Sequence, residues 1–113
     1  MKMKVKYLPI DKENIKSRPD RFNIKIDDQE YIIQVSWNIE GFFSINIYDT
    51  LGDPIILGKK IVYGVDILKN VVDDRLPEGY KIIPMDKTGN SEKDGITFDN
   101  FMDSVKPYIV GDS

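Results

Sequence analysis

The chain contains no cysteine and no histidine among its 113 residues. Without cysteine there is no disulfide scaffold, no thiolate zinc site and no cysteine nucleophile. Without histidine the usual general base and the commonest transition-metal ligand near neutral pH are missing. Serine–histidine triads, histidine zinc sites and metalloprotease motifs are therefore excluded. The eight glycines are scattered, and none forms a phosphate-cradling loop. No apolar run is long enough to cross a bilayer, and no apolar stretch follows Met1-Lys2-Met3-Lys4-Val5-Lys6 as a secretory signal would require. The expectation is a soluble protein made in the cytosol, or assembled there into something larger. Carboxylate, lysine and tyrosine chemistry remain, as does an oxygen-ligand metal site.

What is present describes a folded domain. Hydrophobic residues make up 41% and charged residues 31% of a chain whose length fits one compact unit. The net charge of −3 hides an asymmetry. Residues 1–21 hold seven Lys/Arg against three acids, leaving +4 there and −7 for the remainder. A nucleic-acid domain usually spreads its basic face across the body, and this body is acidic. The arm accordingly reads as solvated or partner-facing, and nucleic acid is disfavoured as a ligand. The expected organisation is a basic N-terminal arm over 1–21, packed on the domain or a partner, and a single β-domain over 22–113.

Three alternating runs carry the clearest pattern. Phe22, Ile24 and Ile26 alternate with polar residues, as do Tyr31, Ile33, Val35 and Trp37, and then Phe43, Ile45 and Ile47. Asp27-Asp28-Gln29 and Asn38-Ile39-Glu40-Gly41 supply short turns between them, the glycine tolerating positive φ. This is a β-meander. Further on, Gly58 between two short apolar runs suggests a bulge, and Lys59 and Lys60 discourage edge-to-edge pairing. Residues 65–72 read as a loop, 76–79 as a turn and 80–85 as a strand interrupted or ended by Pro84. Residues 86–95 read as an exposed polar loop. Thr97 is placed to cap a short helical segment over 98–103. Residues 106–110 return to strand character, with Pro107 favouring a sheet edge. The predicted class is all-β and mainly antiparallel: a small barrel or sandwich built on a meander, with one or two short helical turns.

Candidate chemistry is sparse. The acids around Asp86, Glu92, Asp94 and Asp99 are oxygen-rich, but lysine and asparagine occupy positions where calcium loops usually place acids, so a solvated turn is the better reading. Asp66 and Asp86 lie near strand ends as a conceivable carboxylate pair, in a chain short for a glycosidase cleft. No catalytic, metal-binding or cofactor-binding residue is assigned. Phe42, Tyr48 and Tyr63 offer an outer aromatic face for stacking bases, against the plainer reading of packing. A small β-barrel binding single-stranded nucleic acid or sugar is therefore the alternative function.

The order of segments resembles a known family. Phe22, Tyr31-Ile32-Ile33, Trp37-Asn38, Phe42-Phe43 and Ile47-Tyr48 come first. Ile56-Leu57-Gly58, Ile61-Val62-Tyr63-Gly64, Leu76-Pro77-Glu78-Gly79, Pro84-Met85-Asp86 and Ile96-Thr97-Phe98-Asp99-Asn100-Phe101 follow. Across about residues 6–110 this is similar to the phage baseplate plug family of contractile-tailed bacteriophages and their prophages. The resemblance implies a compact all-β virion component at the hub of the tail baseplate that helps close the tail channel, with no catalytic residue and no cofactor. It implies other baseplate and hub proteins as partners, and a homo-oligomer within the assembly is compatible with it; no membrane contact is implied. Residues expected to face a partner are Val5, Tyr7, Leu8 and Ile10 of the arm with Tyr108 and Ile109 of the last strand. The competing expectation is that both segments complete the protein's own sheet.

Overall fold

A computed structural model describes residues 6–111. Seven strands form two antiparallel sheets whose inner sides share one core, a sandwich-like arrangement with no closed barrel.

The four-stranded sheet runs β2 (Asp20–Ile26), β3 (Gln29–Asn38), β4 (Phe42–Tyr48) and β5 (Pro54–Lys60), each strand beside the next. Its register places Ile33 opposite Ile47, Val35 opposite Ile45 and Trp37 opposite Phe43, so the predicted apolar phases line one inner face. Asp27 and Asp28 form the two-residue β2–β3 loop with φ of 52° and 66°, the left-handed pair that a twist-matched hairpin turn demands. At the β3–β4 turn Gly41 takes φ of 104°, and the Asn38 side chain accepts the Glu40 N–H at 2.8 Å. The break at Gly58 also appears: β4–β5 pairing shifts register, and Asn46 Oδ1 accepts the Gly58 N–H at 2.6 Å.

The three-stranded sheet is ordered β1 (Lys6–Tyr7), β7 (Lys106–Val110), β6 (Lys81–Met85). Here one sequence expectation is corrected, because Pro107 lies in the central strand and not at an edge. Its missing N–H costs little. Leu8 donates to the Pro107 carbonyl at 3.0 Å, and the Leu8 carbonyl, deprived of a donor across the pair, accepts the Ile10 N–H at 2.9 Å. Pro84 likewise neither interrupts nor ends β6. It sits directly opposite Pro107, and its carbonyl accepts from Gly64 at 2.7 Å on the other side.

No helix occurs among the described residues. The 97–100 segment makes one helical turn, Phe101 N–H to the Thr97 carbonyl at 3.1 Å. Thr97 caps it as expected, its Oγ1 accepting the Asn100 N–H at 3.0 Å while Asn100 Oδ1 accepts the Thr97 N–H at 2.8 Å. The turn stops because Met102 adopts φ of 67°. It delivers Phe98 and Phe101 to the core, where Phe43 lies 4.3 Å from Phe101 and 4.7 Å from Trp37, centroid to centroid.

Candidate interaction surface

Strand phase decides which residues of the three-stranded sheet face inward. Ile82, Pro84, Pro107 and Ile109 point to the core, whereas Tyr7, Tyr108 and Ile83 form a row across the outer side of all three strands. Met85, Lys106, Lys81 and Val110 complete that outer face. The Tyr7 and Tyr108 rings meet edge to face at 6.0 Å. Lys106 Nζ stands 4.6 Å from the Tyr7 ring centre and Lys87 Nζ 4.9 Å from that of Tyr108. Lys87 lies over the buried Tyr108, while Tyr7, under Lys106, and Val110 stay exposed.

The residues expected to face a partner therefore separate. Tyr7 and Tyr108 come together on the outer face. Leu8, Ile10 and Ile109 are buried in the protein's own core, because β1 and the segment after it close that side of the sandwich. Val5 lies outside the described residues. Ile15 joins the same core, so residues 6–21 contribute several of its side chains.

Charge is distributed unevenly around this framework. The three strands KY, KIIPM and KPYIV contain lysine and no carboxylate, and no ion pair among the described residues includes Lys6, Lys81, Lys87 or Lys106. The turn end of the other sheet is the reverse. Arg75 clasps the β4–β5 turn to the 71–75 loop, bonding Asp49 at 2.9 Å and Asp73 at 2.6 Å, with the Pro54 carbonyl accepting at 3.2 Å. The Arg75 carbonyl accepts the Tyr31 hydroxyl. Arg75 holds the Asp73 carboxyl down at about 2, while hydrogen bonds from the Asp53 backbone and from Arg75 lower that of Asp49. Burial, with Asp27 and Asp73 nearby, raises the Tyr31 phenol, so the β2–β3 turn belongs to the same end. Asp27, Asp28, Asp53 and Asp74 are exposed there, beside Leu51 and Val72, which are 86% and 100% exposed.

The expected solvated role of Asp86 is replaced by an internal one. Its carboxylate is buried and accepts the Thr88 and Ser91 hydroxyls at 2.6 and 2.8 Å and their N–H groups at 2.9 and 3.2 Å, which lowers its pKa. Asp66 Oδ1 accepts the Leu68 and Ile82 N–H groups at 3.0 and 2.8 Å. Both carboxylates are thus occupied in holding backbone. Arg75 does not stand out in the sequence; Asp86 does, but as an acid near a strand end, although Asp86-Lys87-Thr88 also carries the spacing of a side-chain-capped turn.

The aromatics considered for stacking do not share a face. Phe42 and Tyr48 lie on the outer side of the four-stranded sheet, under Lys60 and Arg21, each 5.0 Å away. Tyr63 instead packs on the core, and its hydroxyl accepts the Asp86 N–H at 3.1 Å. A hollow of about 70 Å³ among Asp11, Ile15, Arg18 and Asp20 falls far below the roughly 300–1,000 Å³ of small-molecule pockets.

Comparison with known proteins follows the same lines. A family described as "Cyanophage baseplate Pam3 plug gp18" matches residues 5–112. No curated protein matches the chain. Because the match runs through both sheets and every connection between them, the chain belongs to this family of phage baseplate plugs.

Proposed function

We propose that this protein docks at the central hub of a phage or prophage tail baseplate and there helps to plug or organise the tail channel. A structural role in the baseplate comes with the family, and its match over residues 5–112 is the observation that carries the reading. The physics of the domain supports a steric rather than a chemical mechanism. Its polar side chains are spent on rigidity: Arg75 bolts two loops together, Asp86 closes a third, and no buried side-chain nitrogen or oxygen among the described residues lacks a partner. A body held this way transmits force instead of yielding to it, as a stopper in a channel must. Its partners are other baseplate proteins, met by side-chain faces after assembly in the host cytoplasm.

Co-expression with the hub and tube proteins of its own phage, followed by affinity purification and electron cryomicroscopy of assembled tails, tests this directly. The expected result is a stoichiometric complex, with density for the sandwich on the tail axis. A chain that stays alone with every hub and tube protein of its own phage, and is missing from purified tails, overturns the proposal.

A further inference from the structure

The two unlike surfaces fit each other. One is the outer side of the three-stranded sheet, where exposed Tyr7 and Val110 flank half-buried Ile83 and the buried Tyr108, and where the strands themselves carry lysine and no carboxylate. The other is the turn end of the four-stranded sheet, where exposed Leu51 and Val72 stand among aspartates. Counting Asp27, Asp28, Glu30, Asp49, Asp53, Asp73 and Asp74 against Lys25 and Arg75 leaves five negative charges at that end. Lys81, Lys87 and Lys106 supply three positive ones on the outer side of the sheet, Lys6 standing opposite Ile109 on the other side. Each surface thus combines an apolar centre with a rim of one net sign, and the net signs are opposite. Both belong to the same chain but to different sheets.

We infer that copies of this chain associate head to tail, the tyrosine–lysine face of one receiving the aspartate-rimmed turn end of the next. Such a contact is heterologous, and when its rotation closes it generates a ring. The apolar centres supply contact area, and the charged rims steer approach and fix orientation. Like surfaces repel: two lysine faces, or two aspartate ends, place unpaired charges of one sign together. The inference stands on the two surfaces and is independent of docking at a hub.

Sedimentation velocity across a concentration series, at low and at high salt, reads the association. The wild type is expected to self-associate at low salt and to dissociate as salt rises. Two charge-reversed pairs, Lys81→Glu with Lys87→Glu and Asp53→Lys with Asp74→Lys, use exposed side chains that make no side-chain hydrogen bond or ion pair, so the fold should survive, as far-UV circular dichroism will check. Each variant alone should associate at least about tenfold more weakly than the wild type, a loss of about 1.4 kcal/mol. An equimolar mixture of the two should recover association, because a reversed face then meets a reversed end as well as a native face meeting a native end. A wild type that stays monomeric at low salt overturns the inference. So does association that either reversal leaves unchanged, or a mixture that fails to recover. If a reversed pair does not fold, Lys81→Gln with Lys87→Gln and Asp53→Asn with Asp74→Asn carry the same test, each expected to weaken association and to lessen its salt dependence; unchanged association in either counts against the inference.

Discussion

Replacing Phe43 with alanine tests the core where its contacts are densest. The side chain has no exposed surface, and its ring lies 4.7 Å from Trp37, 4.3 Å from Phe101 and 5.7 Å from Phe98. Burial of a phenylalanine is worth about 1.5–3 kcal/mol, and each well-placed ring pair adds about 0.5–1.5 kcal/mol. The hole left behind cannot collapse, because β4 is held by β3 on one side and β5 on the other. The loss should therefore sit in the upper part of the roughly 3–5 kcal/mol range of such truncations. At about 0.05–0.15 kcal/mol per residue, the whole domain holds on the order of 6–17 kcal/mol. The variant should consequently still fold, with little reserve. Urea titration followed by far-UV circular dichroism and by Trp37, the single tryptophan, reads the change. With a slope near 2 kcal/mol/M, the midpoint should fall by about 2 M. A loss under about 1 kcal/mol at unchanged slope would show that the aromatic cluster does not hold the two sheets' shared core.

Two further outcomes follow from local geometry. Asp28→Gly should raise stability by about 0.5 kcal/mol, because an L-residue at φ of 66° carries left-handed strain that glycine escapes. The exposed Lys25 contact that it gives up, at 3.9 Å, offsets little of this, and a urea midpoint that falls would count against the strain. Asp49, Asp73 and Asp86 all titrate below the ordinary carboxylate value of 3.8, Asp73 at about 2. Below 3.8 the unfolded chain therefore binds more protons than the folded one. The stabilisation is whole above that pH and drains away as pH falls towards about 2. Asp86→Asn keeps one acceptor oxygen where four donors converge, so it should lower stability at neutral pH and flatten the acid slope. Urea midpoints measured against pH check both, and a wild type that grows more stable on acidification would refute the assignment.

The β2–β4 meander was legible because one face of that sheet is buried and the other is wet, which writes a period of two into Phe22–Ile26, Tyr31–Trp37 and Phe43–Ile47. Its turns were legible from local chemistry, Asp27-Asp28-Gln29 as a polar turn and Gly41 as a site for positive φ, whereas the left-handed pair at Asp27 and Asp28 came from the structure. The other sheet was not. A two-residue β1 has no period to read, and Pro107 in a central strand contradicts a rule that holds until Leu8 and Ile10 rearrange their hydrogen bonds around it. The candidate surface shares that limit. Tyr7 and Tyr108 were each visible as apolar residues in terminal segments, but only the pairing of β1 with β7 makes them one patch. That same pairing sends Leu8 and Ile109 inward. Arg75 is the opposite case, an unremarked charge whose role comes wholly from two loops distant in sequence.

The edges of the sheets bear on how such a domain meets its neighbours. The outer edge of β6 is already used, since Gly64 donates to Pro84 at 2.7 Å and Ile67 to Ile82 at 2.8 Å. Along β5 the pairing is broken by the Gly58 bulge and followed by Lys59 and Lys60. Among the described residues β2 pairs only with β3, but Arg21 and Lys25 interrupt its length. Strand addition, which recognises backbone, is thereby discouraged on these sides. Side-chain faces are left to make the contacts, and the faces of this molecule carry opposite charge. The two modes respond differently to salt: backbone pairing is almost indifferent to ionic strength, whereas rims of lysine and aspartate are screened over about 10 Å at 0.1 M. Assembly that dissolves on raising salt therefore speaks for the faces, and assembly that persists in concentrated salt speaks for an edge.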